Sequence, residues 1–87
     1  MSEGELLQFP TDYPIKVVGR PSDDFRARIH AVFLKHVPDV DPDRVSERLS
    51  GNGNFLSISY TIVARSREQV IGLATELGAT DGVVMVI

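Results

Sequence analysis

The sequence contains no cysteine. That excludes disulfide staples and thiolate metal sites, and nothing in the chain demands an oxidising compartment. No apolar run approaches the ~18 residues of a membrane-spanning helix. Bases are in the minority, nine Lys and Arg against twelve Asp and Glu, and the net charge of −3 disfavours general attraction to phosphate backbones or anionic lipid. The N-terminus, Met1-Ser2-Glu3-Gly4-Glu5, carries acids where a signal peptide needs bases followed by a long apolar stretch. A cytoplasmic protein with no membrane contact is the expectation. Ser/Pro and Gln/Asn tracts are missing too, so the 43% apolar and 24% charged shares describe an ordinary folded chain. Its 87 residues suffice for one small domain with one core, with residues 1–12 as an extended lead.

What is present is a clear order of elements. Tyr13 to Gly19 is β-rich and stops at Gly19-Arg20-Pro21, a turn signal. Ser22 or Asp23 can cap a helix from about Asp24 to His36, because Phe25, Ile29, Val32, Phe33 and His36 recur at helical spacing. Pro38 ends it. Arg44 to Ser50 and Phe55 to Ala64 form a hairpin around Asn52-Gly53, the pair suited to a type I′ turn. The register then sets Leu49 opposite Leu56, Glu47 opposite Ile58 and Val45 opposite Tyr60. The other face carries Arg48 with Ser57, Ser46 with Ser59 and Arg44 with Thr61. Ser66 and Gln69 make a capping box for a second helix, which Gly78 terminates. Val83 to Ile87 is continuously apolar and predicts a strand.

Strand, helix, two strands, helix, strand is the ferredoxin-like βαββαβ plan, an α+β two-layer sandwich with antiparallel sheet order 4-1-3-2. The expected core is Ile15, Val17, Phe25, Ile29, Val32, Leu56, Ile58, Tyr60, Ile62, Val70, Leu73 and Leu77. The last strand poses a difficulty. It lies at a sheet edge without lysine, proline or a bulge, and Val84 and Val86, beside Val18, are expected to point into water from the open face. A cover is expected there, either Leu6, Leu7 and Phe9 of the lead or a second copy of the chain.

No reaction is spelled out. His30 and His36 stand six apart and do not share a helix face, so metal ligation from one helix is not expected, and His36 is read as facing the terminal carbonyls of its helix. Asp39-x-Asp41-x-Asp43 imitates the start of a calcium loop but has Arg44 where glycine is needed and Ser50 where glutamate is needed. Solvated loop acids are the reading, with no metal and no cofactor. The Gly51-x-Gly53 pair precedes a strand, whereas a phosphate-cradling loop must open a helix. The loop of Gly19, Arg20, Ser22, Asp23 and Asp24 does open a helix, and its acids suit an amine better than a phosphate. The open sheet face, with Arg44, Ser46, Arg48, Ser57, Ser59 and Thr61, shares its topology with RNA-recognition modules. It carries small hydroxyls where those modules carry stacking aromatics, so nucleic acid is the runner-up partner.

Phe9-Pro10-x-x-Tyr13, Lys16-Val17-x-Gly19, Ser50-x-x-Gly53-Asn54-Phe55-x-Ser57, Glu68-Gln69 and the ending Val84-Met85-Val86-Ile87 together resemble the YbeD-like DUF493/UPF0250 family of small bacterial proteins, nearly end to end. The resemblance implies a fold similar to the ACT regulatory domains of amino-acid metabolism. Such domains bind small effectors, often amino acids, between paired domains near the loop after the first strand, which here is Gly19 to Asp23. The resemblance supplies no catalytic residues, and the loop between Val37 and Arg44 matches it least. A non-catalytic regulatory or interaction domain is therefore expected, associating with a small effector, a protein partner or itself. The interaction surface is expected at Val18, Val84, Val86, Arg44, Arg48, Ser57 and Ser59.

Overall fold

The computed structural model describes residues 8–87. The elements run β1 (Thr11–Gly19), α1 (Asp23–His36), a short 3-10 turn at Pro42–Arg44, β2 (Val45–Leu49), β3 (Leu56–Ala64), α2 (Arg67–Gly78) and β4 (Val83–Val86). They form one antiparallel sheet in the order β2-β3-β1-β4, with both helices on one face. The expected plan and sheet order are what the chain adopts. Among the described residues no helix is long and apolar enough to cross a membrane.

Strand parity builds the core. Along β3 the residues alternate strictly between buried and half-buried, so Leu56, Ile58, Tyr60, Ile62 and Ala64 face the helices. Eleven of the twelve expected core residues are buried, joined by Phe33, Val37 and Ala64. Val70 is only half-buried, because it lines a shallow groove of about 300 Å³ with Tyr13, Ile15, Ala74, Val86 and Ile87. Tyr60 stacks on Phe33 with centroids 3.7 Å apart and planes at 8°, and its hydroxyl lies 3.1 Å from His30 Nδ1.

Both helix starts are capped as their sequences require. Ser22 Oγ accepts from Phe25 N at 2.9 Å, and Ser66 Oγ from Gln69 N at 3.1 Å. The end of α1 departs from expectation. His36 Nε2 meets Glu76 Oε1 across the helix pair at 2.9 Å, and it is Gln69 Nε2 that donates to the His36 carbonyl, at 2.9 Å. A side chain from the facing helix thus does the capping that a local residue was expected to do. Asp39 is held by Arg65, and Asp41 Oδ1 caps the 3-10 turn by accepting from Asp43 N at 2.9 Å.

The hairpin keeps the expected register, Leu49 with Leu56 and Arg48 with Ser57, but not the expected turn. Only Gly53 takes a positive φ, 76°, whereas a type I′ turn needs one at Asn52 as well. The chain turns over Ser50 to Gly53, with Gly53 N donating to the Ser50 carbonyl at 2.9 Å. Two side-chain oxygens make this wider loop favourable. Ser50 Oγ accepts from Phe55 N at 3.0 Å and Asn52 Oδ1 from Asn54 N at 3.1 Å.

β4 corrects a second expectation. It pairs Val17 with Val86 and Val18 with Met85, then shifts so that Gly19 meets Val83. Val86 therefore shares the helix side with Val17, and Met85, 49% exposed, shares the open face with Val18. Val84 stands at the irregularity, 57% exposed. This edge does carry the kind of bulge that blunts illicit pairing. Proline guards the neighbouring stretch. Lys16 and Ile87 exchange backbone bonds at 3.0 and 2.8 Å, so Pro14, two residues earlier, turns its missing N–H toward the same edge beyond the end of β4. The expected cover by Leu6 and Leu7 lies outside the described residues.

Candidate functional site

The loop joining β1 to α1 is held from both ends. Gly19 packs so closely that a Cβ there would lie 2.4 Å from Phe25 Cζ and 2.5 Å from the Gly82 carbonyl oxygen. Gly82, at φ 91°, forms the other wall, where a Cβ would come within 3.3 Å of the same ring. The two glycines make a slot for Phe25, and the slot ties the loop to the turn before β4. Arg20 N donates to the Gly82 carbonyl at 3.3 Å and Arg28 Nη1 to the Asp81 carbonyl at 3.1 Å.

Most of the residues expected to bind a ligand here are already committed. Gly19 is a packing residue, Ser22 caps α1, and Asp23 Oδ1 lies 3.2 Å from Arg26 Nη1. Arg26 also reaches β2, its Nε standing 3.0 Å from both oxygens of Glu47, which is how a charge on the helix side of that edge strand is accommodated. Arg20 and Asp24 remain. Both are exposed, and neither side chain has a partner among the described residues.

The open sheet face is a second, separate surface. Cross-strand pairing arranges it in rows: Met85, Val18, Ser57, Arg48; then Lys16, Ser59, Ser46. Arg44 is not available there. It forms a two-pronged pair with Asp12, Nη1 to Oδ1 at 3.1 Å and Nη2 to Oδ2 at 3.0 Å, and the guanidinium holds the Asp12 carboxyl below its ordinary pKa. Lys16 and Arg48 have no acidic partner among the described residues. Sequence reasoning overlooked Lys16 on this face, although alternation along β1 from Val18 would have placed it. Val86 is removed from the face by the register of β4.

The family model of a protein of unknown function, DUF493, matches residues 4–87. A UPF0250 protein of Hahella chejuensis is 34% identical over 85 residues, covering 98% of this chain and 93% of that one. Another, from Ectopseudomonas mendocina, is 40% identical over 82 residues, covering 93% and 89%. Among solved structures, the ACT domain from GTP pyrophosphokinase of Chlorobium tepidum superposes with a TM-score of 0.68 at 19% identity, covering 88% of this chain and 97% of that domain. The C-terminal domain of the MgtC protein from Mycobacterium tuberculosis reaches 0.64 at 19% identity, with 93% and 88% covered. The βαββαβ sandwich is thus an ACT-like fold, and the chain belongs to the DUF493/UPF0250 family.

Proposed function

We propose that this chain is a non-catalytic regulatory domain whose β1–α1 loop binds a small amine-bearing effector, an amino acid by chemical class. The observation that carries the reading is the pair Arg20 and Asp24, two opposite charges with no described partner on a loop in which Gly19 is packed against Phe25 and Ser22 caps α1. A guanidinium complements an α-carboxylate and a carboxylate complements an α-ammonium. The paired acids Asp23 and Asp24 at the start of α1 work against a phosphate, which the helix dipole alone would favour. Likeness of fold to the ACT domain of a GTP pyrophosphokinase supports a regulatory role by analogy.

Thermal unfolding in the presence of each amino acid at millimolar concentration tests the reading. A ligand at a hundred times its dissociation constant adds about 2.7 kcal/mol of stability. The expected result is a rise in Tm with one or a few amino acids, abolished by Arg20→Ala and by Asp24→Asn. No rise with any of them would leave association with a protein partner as the better account.

A further inference from the structure

The β1–α1 loop is not the only surface with unmet charge. Lys16 and Arg48 are exposed on the open sheet face, without an acidic partner among the described residues. Of the acids on the described strands and helices Asp12 alone lies on that face, and it is spent on Arg44. A chain of net charge −3 therefore presents a sheet face that is net positive. Between the two cations the floor is low. Lys16 pairs with Ser59 and Arg48 with Ser57, and neither serine hydroxyl has a hydrogen-bond partner among the described residues. Beyond Ser57 the row of Arg48 continues into Val18 and then Met85, which is 49% exposed.

We propose that this face docks an extended acidic segment of a partner protein, of the pattern apolar-x-acid-x-acid, laid across the strands. The spacing fits that pattern. Neighbouring strands lie about 4.8 Å apart, so a point between Met85 and Val18 is about 12 Å from Arg48, across β1 and β3. Alternate residues of an extended chain advance about 7 Å and point to the same side. An apolar side chain seated on Val18 and Met85 thus puts the acid two residues on above the hydroxyls of Ser57 and Ser59, where Lys16 reaches it. The acid four residues on arrives beside Arg48, whose guanidinium grips a carboxylate with two parallel bonds.

Side-chain chemistry selects this occupant over the others. A polynucleotide would meet two unpaired cations and no stacking platform, because none of the open-face positions of β1, β2 or β3 is aromatic. A second copy docked face to face would set Lys16 and Arg48 against like charges, with Asp12 already spent on Arg44. A small anion satisfies the cations but leaves Val18 and Met85 uncovered. The pair of Arg44 and Asp12 neutralises the far end of the face, which confines the attraction to the rows of Arg48 and Lys16.

The test is an amide NMR titration of the full chain with a blocked peptide that carries leucine and two glutamates at alternate positions and serine elsewhere. Shifts are expected at Lys16, Val18, Arg48, Ser57 and Met85 with millimolar peptide, and the affinity should fall by about tenfold or more in Lys16→Glu/Arg48→Glu. That variant should instead bind the counterpart peptide with lysines in place of the glutamates, a gain that loss of folding cannot produce. Absence of shifts on this face, or an affinity that survives the charge reversal, would overturn the proposal. Equal binding by a peptide with serine in place of leucine would overturn it in favour of a simple anion site. Tighter binding of an oligouridine of the same length would overturn it in favour of nucleic acid, and shifts at these residues on concentrating the chain alone in favour of a second copy. Shifts confined to the β1–α1 loop would overturn it while leaving the effector reading of that loop standing.

Discussion

Gly19 leaves no space between β1 and Phe25: a Cβ at that position would stand 2.4 Å from Phe25 Cζ, with the Gly82 carbonyl oxygen 2.5 Å away on the other side. One wall is a buried ring and the other is backbone, so neither can yield cheaply. Gly19→Ala should destabilise the domain by about 1–3 kcal/mol, the usual cost of overpacking. Urea unfolding would show it as a lower midpoint at unchanged slope. Adding Phe25→Leu should fail to restore the loss, since the Gly82 carbonyl remains.

Gln69 joins three segments, accepting from Arg65 N at 2.7 Å while donating to the His36 carbonyl at 2.9 Å. Gln69→Ala removes both bonds and leaves the His36 carbonyl without its partner, for an expected loss of about 1–3 kcal/mol. Gln69→Glu keeps the acceptor and loses the donor, placing a carboxylate against a carbonyl. Its stability in the same unfolding assay should not reach the wild-type value.

Glu76 receives both Lys35 Nζ and His36 Nε2 at 2.9 Å on the same oxygen. His36 and then Lys35 hold its carboxyl below the ordinary glutamate range. A carboxyl lowered by folding adds stability above its unfolded pKa, about 4.3, and loses that contribution as pH falls through the folded value. The Tm difference between wild type and Glu76→Gln should accordingly be present at pH 6 and close as pH drops below about 4. A difference that stays constant down to pH 3 would show that the ion pairs contribute nothing.

The hairpin offers a comparison free of packing. Neither Gly51 nor Gly53 has any atom within 4 Å of an added Cβ, yet only Gly53 has a positive φ, 76°. Gly53→Ala should cost about 1–2 kcal/mol from backbone conformation alone. Gly51→Ala should be neutral or stabilising by about 0.4–1 kcal/mol, because alanine restricts the unfolded chain. Equal effects on Tm would mean that the loop relaxes around the substitution.

What the sequence decided was local. Alternation along Leu56 to Ala64 allows one burial pattern, and with one face apolar the hairpin register of Leu49 against Leu56 follows from it. Ser22 and Ser66 cap because a side-chain oxygen three residues before an orphan N–H needs nothing distant to reach it. The order of these elements was enough to name the plan and the sheet order.

Tertiary structure decided whatever depends on two segments meeting. Val83 to Val86 is apolar at every position, so its pattern cannot say which residues face the helices; pairing with Val17 assigned Val86 to that side and left Met85 on the open one. The Ser50 and Asn52 side chains, by bonding across the loop, replaced the tight turn that Asn52-Gly53 suggested. The candidate site follows the same division. Its acids and its helix start could be read along the chain. That Gly19 would be sealed by Phe25 and Gly82 while Arg20 and Asp24 kept their charges unmet required residues more than 60 positions apart to come together, and no local pattern encodes such a contact.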